Sequence, residues 1–298
     1  MKIVIAGANS FIGKRLLKKV ADDDVVAIVR EGSQFTFPGV KIVHCNMEEY
    51  GQLGELCGPG DVFVDLTWRG SRGADRQNRE MQEKNYLSTL AAMKSMAEAG
   101  YKTLVSAGSQ AEYGQCEGTI TENTPTNPNT QYGIYKLRIY NEVKVIAQQQ
   151  GCRFIEPRYF SLYGPGDYEK TLIMATLKKL LNNERIELNE CTQLWDYLFV
   201  DDAMDALVHL CKTNAEGGVY NFATGHHRTL REFILDMKEA VGSDSEVVFG
   251  AVEYNGLYID LRPDVTKLKS TGWTPKISFQ DGIKQIVGES QKAGTLES

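Results

Sequence analysis

Lys2-Ile3-Val4-Ile5-Ala6-Gly7-Ala8-Asn9-Ser10-Phe11-Ile12-Gly13 is the stretch that decides the fold. A short apolar run ending at a glycine reads as a buried parallel strand. Lys14 to Ala21 follows as an amphipathic helix with Leu16, Leu17 and Val20 inward. A strand, a glycine turn and a helix in succession aim backbone N–H groups and a helix N-terminus at one point, where a pyrophosphate is received. Gly7 permits the tight turn and Gly13 lets the helix approach the strand, while Asn9, Ser10, Phe11 and Ile12 complete the loop. Ser10 stands where many such loops carry a third glycine.

Further strands extend the pattern. Val25–Val29 ends at Arg30, the point where an acidic residue would hold a ribose diol and an arginine accommodates a 2′-phosphate. Arg30, with Ser33 behind it, favours NADP(H) over NAD(H), which stays the alternative. Val40–Cys45 leads to Asn46 and Met47, placed for an adenine edge, and Val62–Leu66 brings Leu66 to the cofactor side. A helix over 80–99 carries Asn85, and Thr103–Ser106 runs into the turn that holds Ser109 and Gln110. Cys152–Glu156 opens into a Pro/Gly-rich turn with Tyr159, Phe160 and Ser161. Strands alternating with helices predict an α/β chain with a doubly wound parallel sheet. Residues 1–163 form the dinucleotide-binding part, 194–222 return to it, and 164–298 are mostly a smaller substrate-binding lobe. In the second half of the chain a strand spans 195–200, Asp201 and Asp202 cap a helix at 203–212, Thr229 caps 230–241, and 292–298 fray.

Bulk properties narrow the class. The 298 residues are 42% hydrophobic and 24% charged, ordinary for a globular chain. A net charge of −6 gives no footprint for nucleic acid or an anionic membrane. The 6 cysteines are scattered without zinc spacing, so no metal is expected and reduced thiols in a cytoplasmic protein are. No apolar run approaches the roughly 20 residues of a membrane span.

The chemistry starts at Gln131-Tyr132-Gly133-Ile134-Tyr135-Lys136, opening a helix after a turn-rich run with Pro125 and Pro128. Tyr132 and Lys136 lie one turn apart on one face. Bringing a phenol from about 10 to near 7 needs roughly 4 kcal/mol. An ammonium about 5 Å away at an effective dielectric of about 20 supplies roughly 3 kcal/mol. The pair alone is weak: with 14 Tyr, about one such spacing is expected by chance, and Tyr140 and Lys144 form a second.

The order of motifs carries more. Gly7-x5-Gly13, Asn85 with Thr89, Ser109-x3-Tyr113-Gly114, Tyr132-x3-Lys136, Arg158-x4-Tyr163-Gly164-Pro165-Gly166, Asp196-Tyr197-x2-Val200-Asp201-Asp202 and Arg262-Pro263-Asp264 succeed one another. In these the chain resembles the extended short-chain dehydrogenase/reductases, in their nucleotide-sugar epimerase/dehydratase group, over nearly its whole length. The resemblance implies a Rossmann sheet, Ser109 on the substrate oxygen, Tyr132 as proton donor or acceptor, and Lys136 on the nicotinamide ribose, lowering the Tyr132 pKa. It further implies Tyr159, Phe160 and Ser161 at the nicotinamide, Arg262 and Gln110 at the substrate, and a homodimer through the 80–99 and 132–149 helices. Departures are informative: Trp195 replaces an arginine of many relatives, and Gln110-Ala111 replace the acid–base pair of sugar dehydratases. The expected activity is NADPH-dependent reduction of a nucleoside-diphosphate-4-keto-6-deoxyhexose at C4, the alternative an NAD-dependent nucleotide-sugar 4-epimerase. A non-catalytic dinucleotide sensor is disfavoured by the presence of Ser109, Tyr132 and Lys136.

Overall fold

The computed structural model describes residues 1–254, 256 and 259–293. β1 (Lys2–Ala6) passes through the glycine turn into α1 (Phe11–Lys19). That helix starts before Lys14 because the Ser10 hydroxyl accepts the Gly13 N–H at 3.0 Å and caps it. A Cβ on Gly13 would stand 2.3 Å from the Gly7 carbonyl oxygen, so only glycine allows this approach. Next come β2 (Asp24–Val29), β3 (Lys41–His44), α2 (Leu53–Cys57), β4 (Val62–Asp65), α3 (Arg79–Glu98), β5 (Thr103–Ser106), β6 (Gly108–Ser109), α4 (Gln131–Gln150) and β7 (Arg153–Tyr159). The rest is β8 (Ser161–Tyr163), α5 (Leu172–Leu181), β9 (Ile186–Leu188), β10 (Leu194–Trp195), β11 (Tyr197–Phe199), α6 (Val200–Lys212), β12 (Gly218–Phe222), β13 (Arg228–Thr229), α7 (Leu230–Val241), β14 (Val247–Phe249), α8 (Thr266–Ser270) and α9 (Phe279–Ala293).

The large sheet runs β12-β7-β5-β4-β1-β2-β3, parallel throughout, with β6 beside β7. This order reverses direction at β1 and β4, the switch point beyond which ligands sit in doubly wound sheets. The period of two along β1 sends Ile3 and Ile5 to one face and Val4 and Ala6 to the other. The first face packs on Leu16 and Leu17 of α1 and Met204 and Leu207 of α6. The second packs on Met93 and Met96 of α3 and Ile139 and Val143 of α4. A separate cluster gathers Ile173 and Leu177 of α5, Met237 of α7 and Ile283 and Ile286 of α9.

Two expectations are corrected. The strand expected over 195–200 breaks at Asp196, whose buried carboxylate accepts N–H bonds from Thr224, Gly225 and His226 at 2.8–3.0 Å. Its halves therefore pair separately, β10 with β13 and β11 with β8. Asp201 and Asp202 do not cap α6, which starts at Val200 with Phe199 as its cap. Asp202 instead accepts the N–H groups of Lys276 and Ile277 at 2.9 and 2.8 Å, fastening the approach to α9. Of the expected frayed tail, 294–298 lie outside the described residues, while α9 continues to Ala293.

Candidate active site

The N-terminus of α4 is pressed onto the turn after β6. Thr130 caps the helix by accepting the Gly133 N–H at 3.1 Å. A Cβ on Gly133 would lie 2.4 Å from the Ala111 carbonyl oxygen, so this glycine lets the helix seat against the 109–112 turn. That approach puts Tyr132 opposite Ser109. The turn is held in its own way: the Ser109 N–H donates to Glu112 Oε1 at 2.7 Å, and its hydroxyl oxygen accepts the Ala111 N–H at 3.2 Å. With that lone pair engaged from behind, the Ser109 hydrogen is available to an oxygen in front.

Ser109, Gln110, Tyr132 and Lys136 line one cleft of about 610 Å³. Ser10, Phe11 and Ile12 of the glycine loop line it too, as do Leu66, Tyr159, Phe160 and Ser161. The second spacing, Tyr140 and Lys144, lies away from it, with Tyr140 against Phe154. Arg30 and Asn46 sit at the ends of β2 and β3, where the Asn46 side chain accepts the Glu31 N–H at 3.3 Å. Met47 and Asn85 border a neighbouring hollow. Asn9 is exposed beside the loop, and Gly7 makes the turn at φ 78°. The Asn85 amide is engaged at both ends by the Arg69 backbone, at 2.7 and 3.1 Å, so it shapes the loop after β4. Arg262 does not line the cleft; its guanidinium meets Asp260 at 3.0 Å.

The loop also has the makings of an anion site. α1 has no acidic residue in its first turn, and the Ser10 cap takes only the Gly13 N–H. The first-turn amides of Phe11 and Ile12 have no intrahelical acceptor, which suits a pyrophosphate.

Residues 3–223 match the NAD dependent epimerase/dehydratase family. The chain belongs to that family. Among its relatives, the UDP-glucose 4-epimerase of Lactobacillus helveticus is 28% identical, over 95% of this chain and 94% of that protein. The dTDP-6-deoxy-L-talose 4-dehydrogenase (NAD(+)) of Aggregatibacter actinomycetemcomitans is 26% identical, over 79% of this chain and 90% of that protein. The crystal structure of the UDP-glucose 4-epimerase of Thermotoga maritima superposes with a TM-score of 0.87 at 22% identity, covering 98% of this chain and 99% of that one.

Within this epimerase/dehydratase site the cations Arg72, Arg76 and Lys136 all stand near the Tyr132 phenol. Burial raises the Tyr132 pKa, and the groups pulling it back are the Ser109 hydroxyl and the guanidinium groups of Arg76 and Arg72, with Glu112 opposing them. The Lys136 Nζ donates to the Ala107 carbonyl at 2.7 Å and stands 6.0 Å from the Tyr132 ring centre. Burial pushes the lysine itself down to about 8, against the nearby carboxyl groups of Asp65, Glu112 and Glu156.

Behind the turn, Arg158 binds two buried carboxyl groups, Glu112 at 2.9 Å and Glu156 at 3.2 Å. Burial and the adjacent Glu112 raise the Glu156 pKa well above the ordinary carboxylate range. Glu112 is fully buried on this arginine and does not reach into the cleft, so it does not replace the missing dehydratase pair.

Trp68, Arg72 and Arg76, which no sequence motif singled out, also line the cleft. Their signal was positional: they follow the C-terminal end of a parallel strand, where such sheets bind ligands.

Proposed function

We propose that this protein carries out nicotinamide-dependent oxidoreduction at one carbinol carbon of a nucleotide sugar, with Tyr132 moving the proton at the sugar oxygen. The observation that carries this reading is Tyr132 facing Ser109 in the cleft that the Ser10–Ile12 loop also enters. A bound nicotinamide supplies or takes the hydride; the amides of Phe11 and Ile12, together with Lys136, would hold the cofactor. Ser109 donates to the sugar oxygen and orients it, and Tyr132 gives or takes the proton there. The carboxylate nearest in sequence to Ser109, Glu112, is turned to Arg158 and the Ser109 N–H and does not line the cleft, which disfavours dehydration.

Relatives named as 4-epimerases support 4-epimerisation with a retained cofactor at least as well as net reduction. The reductase reading keeps one specific support, Arg30, which has no ion partner among the described residues and stands where a 2′-phosphate is met. The deciding experiment is incubation of the purified protein with UDP- and dTDP-hexoses and their 4-keto forms, with and without NADPH. Conversion of a hexose to its C4 epimer without added reductant establishes the epimerase. Stoichiometric NADPH oxidation by a 4-keto sugar establishes the reductase, and neither result across the panel overturns the nucleotide-sugar reading.

Arg30→Asp separates the cofactors. Loss of a charge-assisted hydrogen bond to the 2′-phosphate is expected to weaken NADPH about 10- to 100-fold, with NADH unweakened, in fluorescence titration. Equal effects on both would remove Arg30 from cofactor choice. Arg262 keeps the diphosphate role only as the resemblance implies it, since its guanidinium meets Asp260 and does not line the cleft. Exposed Leu87 of α3 and Ile134 and Val145 of α4 support pairing of two copies through these helices.

A further inference from the structure

We propose that Arg76 binds an oxyanion of the substrate in the cleft, either its diphosphate or a carboxylate on its sugar. This rests on the nucleotide-sugar reading. Among the described residues, the basic side chains lining the cleft are Arg72, Arg76 and Lys136. Two of them are engaged: the Lys136 Nζ donates to the Ala107 carbonyl at 2.7 Å, and Arg72 pairs with Asp167 at 3.0 Å. Half-buried Arg76 has neither an ion pair nor a hydrogen bond among the described residues. Asp167 is the one acidic side chain among the described residues that lines the cleft, and it belongs to Arg72, so no carboxylate there competes for Arg76. Other groups that a substrate charge could meet are turned elsewhere. Arg262 meets Asp260 away from the cleft, and Trp195 gives its indole N–H to the Ser161 hydroxyl at 2.7 Å.

The guanidinium is also held in a useful orientation. One face lies over the Tyr132 ring, with its carbon 4.8 Å from the ring centre. Stacking of this kind fixes the plane and leaves the N–H groups at its edge for a ligand. A planar fork at that edge matches two oxygens of a phosphate or a carboxylate. Because the stacked ring belongs to the proposed proton carrier, the oxyanion is on the sugar or on the diphosphate next to it. The loop itself is braced. Fully buried Gln82 of α3 accepts the Trp68 indole N–H at 2.6 Å and donates to the Gly70 and Asp75 carbonyls at 2.8 and 2.9 Å. At its far end Gln77 accepts the Gln131 N–H at 3.2 Å, joining the loop to the residue before Tyr132. A donor set held this way needs little ordering when the ligand arrives.

The test reads binding and not turnover. UDP, dTDP, CDP and GDP are titrated by calorimetry against the protein with NADPH bound, followed by the glucose and glucuronate derivatives of the base that binds. Arg76→Gln is expected to lose about 10- to 100-fold in affinity for the ligand carrying the recognised oxyanion, with NADPH affinity within about twofold. A loss shared by the bare diphosphate and both its sugars assigns the diphosphate. A loss confined to the glucuronate assigns the sugar carboxylate. In either case the lost part is salt-sensitive, so binding by the variant weakens less on added salt than binding by wild type. Should Arg76→Gln not fold, Arg76→Lys keeps the charge without the fork and is expected to lose about 3- to 10-fold. Unchanged affinity for every ligand overturns the proposal. So does a loss for the glucose derivative that the bare diphosphate does not share, which makes Arg76 a hydroxyl ligand, and so does an equal loss for NADPH. Wild type that binds none of the four diphosphates overturns the nucleotide-sugar reading and this proposal with it. Wild-type binding that survives intact in the variant overturns this proposal alone.

Discussion

Tyr132→Phe is expected to lower turnover by about 10²- to 10⁴-fold while leaving dinucleotide affinity within a factor of about two. The variant keeps the ring, and with it the edge-on packing against Trp68 and the stacking of Arg76. What it removes is the hydroxyl, which faces Ser109 in the cleft and is the proposed proton carrier. Ser109 cannot take over, because an alcohol is far weaker than a phenol as an acid and its oxygen already accepts the Ala111 N–H. The loss should fall on kcat and kcat/KM together, since the proton moves only in the transition state. Steady-state rates with a converted nucleotide sugar, beside NADPH and NADH fluorescence titrations, measure both halves. Turnover within threefold of wild type would remove Tyr132 from the chemistry.

Arg158→Met is expected to be the most destabilising single substitution near the site, at about 3–5 kcal/mol, because it leaves buried acids without their counter-charge. Arg158, Glu112 and Glu156 are each 2% exposed or less. The guanidinium also lies 4.6 Å from the Tyr113 ring centre, and the neutral side chain gives up that cation–π attraction as well. The pH dependence has a definite sign. Burial raises the folded-state pKa of both glutamates from 4.5, so the folded form holds protons that the unfolded form releases. Stability from such groups is present below the unfolded value and falls as pH rises through the folded one. Without Arg158 to pull Glu112 back, the deficit relative to wild type should widen as pH rises above about 4.5. Urea unfolding at pH 5 and pH 8 checks this; a deficit that is constant or shrinks with pH contradicts the charge arrangement. Because Glu112 also accepts the Ser109 N–H, the same variant should loosen the turn that carries the serine.

How much of this was legible in the chain follows from the range of each interaction. The β1 glycine turn, the spacing of Tyr132 and Lys136 on one helix face, and the Thr229 cap of α7 are set by residues within a turn of one another, and these were readable. So was the sheet, because each buried strand announces itself by an apolar run. The broken strand at Asp196 was not: its partners, Thr224 to His226, lie far along the chain, and a carboxylate's choice among distant N–H groups leaves no local pattern.

Residue order alone was enough for the parallel sheet, the phosphate loop and the pairing of a serine with a Tyr-x3-Lys helix, because these rest on local geometry and periodicity. Which charges from other segments come near the phenol was settled only by folding. Gly133 seats α4 on the 109–112 turn, while Gln82 and Gln77 carry the loop after β4 to the same place. There a guanidinium from a different segment lies against Tyr132, while the lysine one turn away is turned to a backbone carbonyl. Electrostatic strength falls with distance in space, not along the chain, so spacing alone could not show the arginines that join the lysine near the phenol.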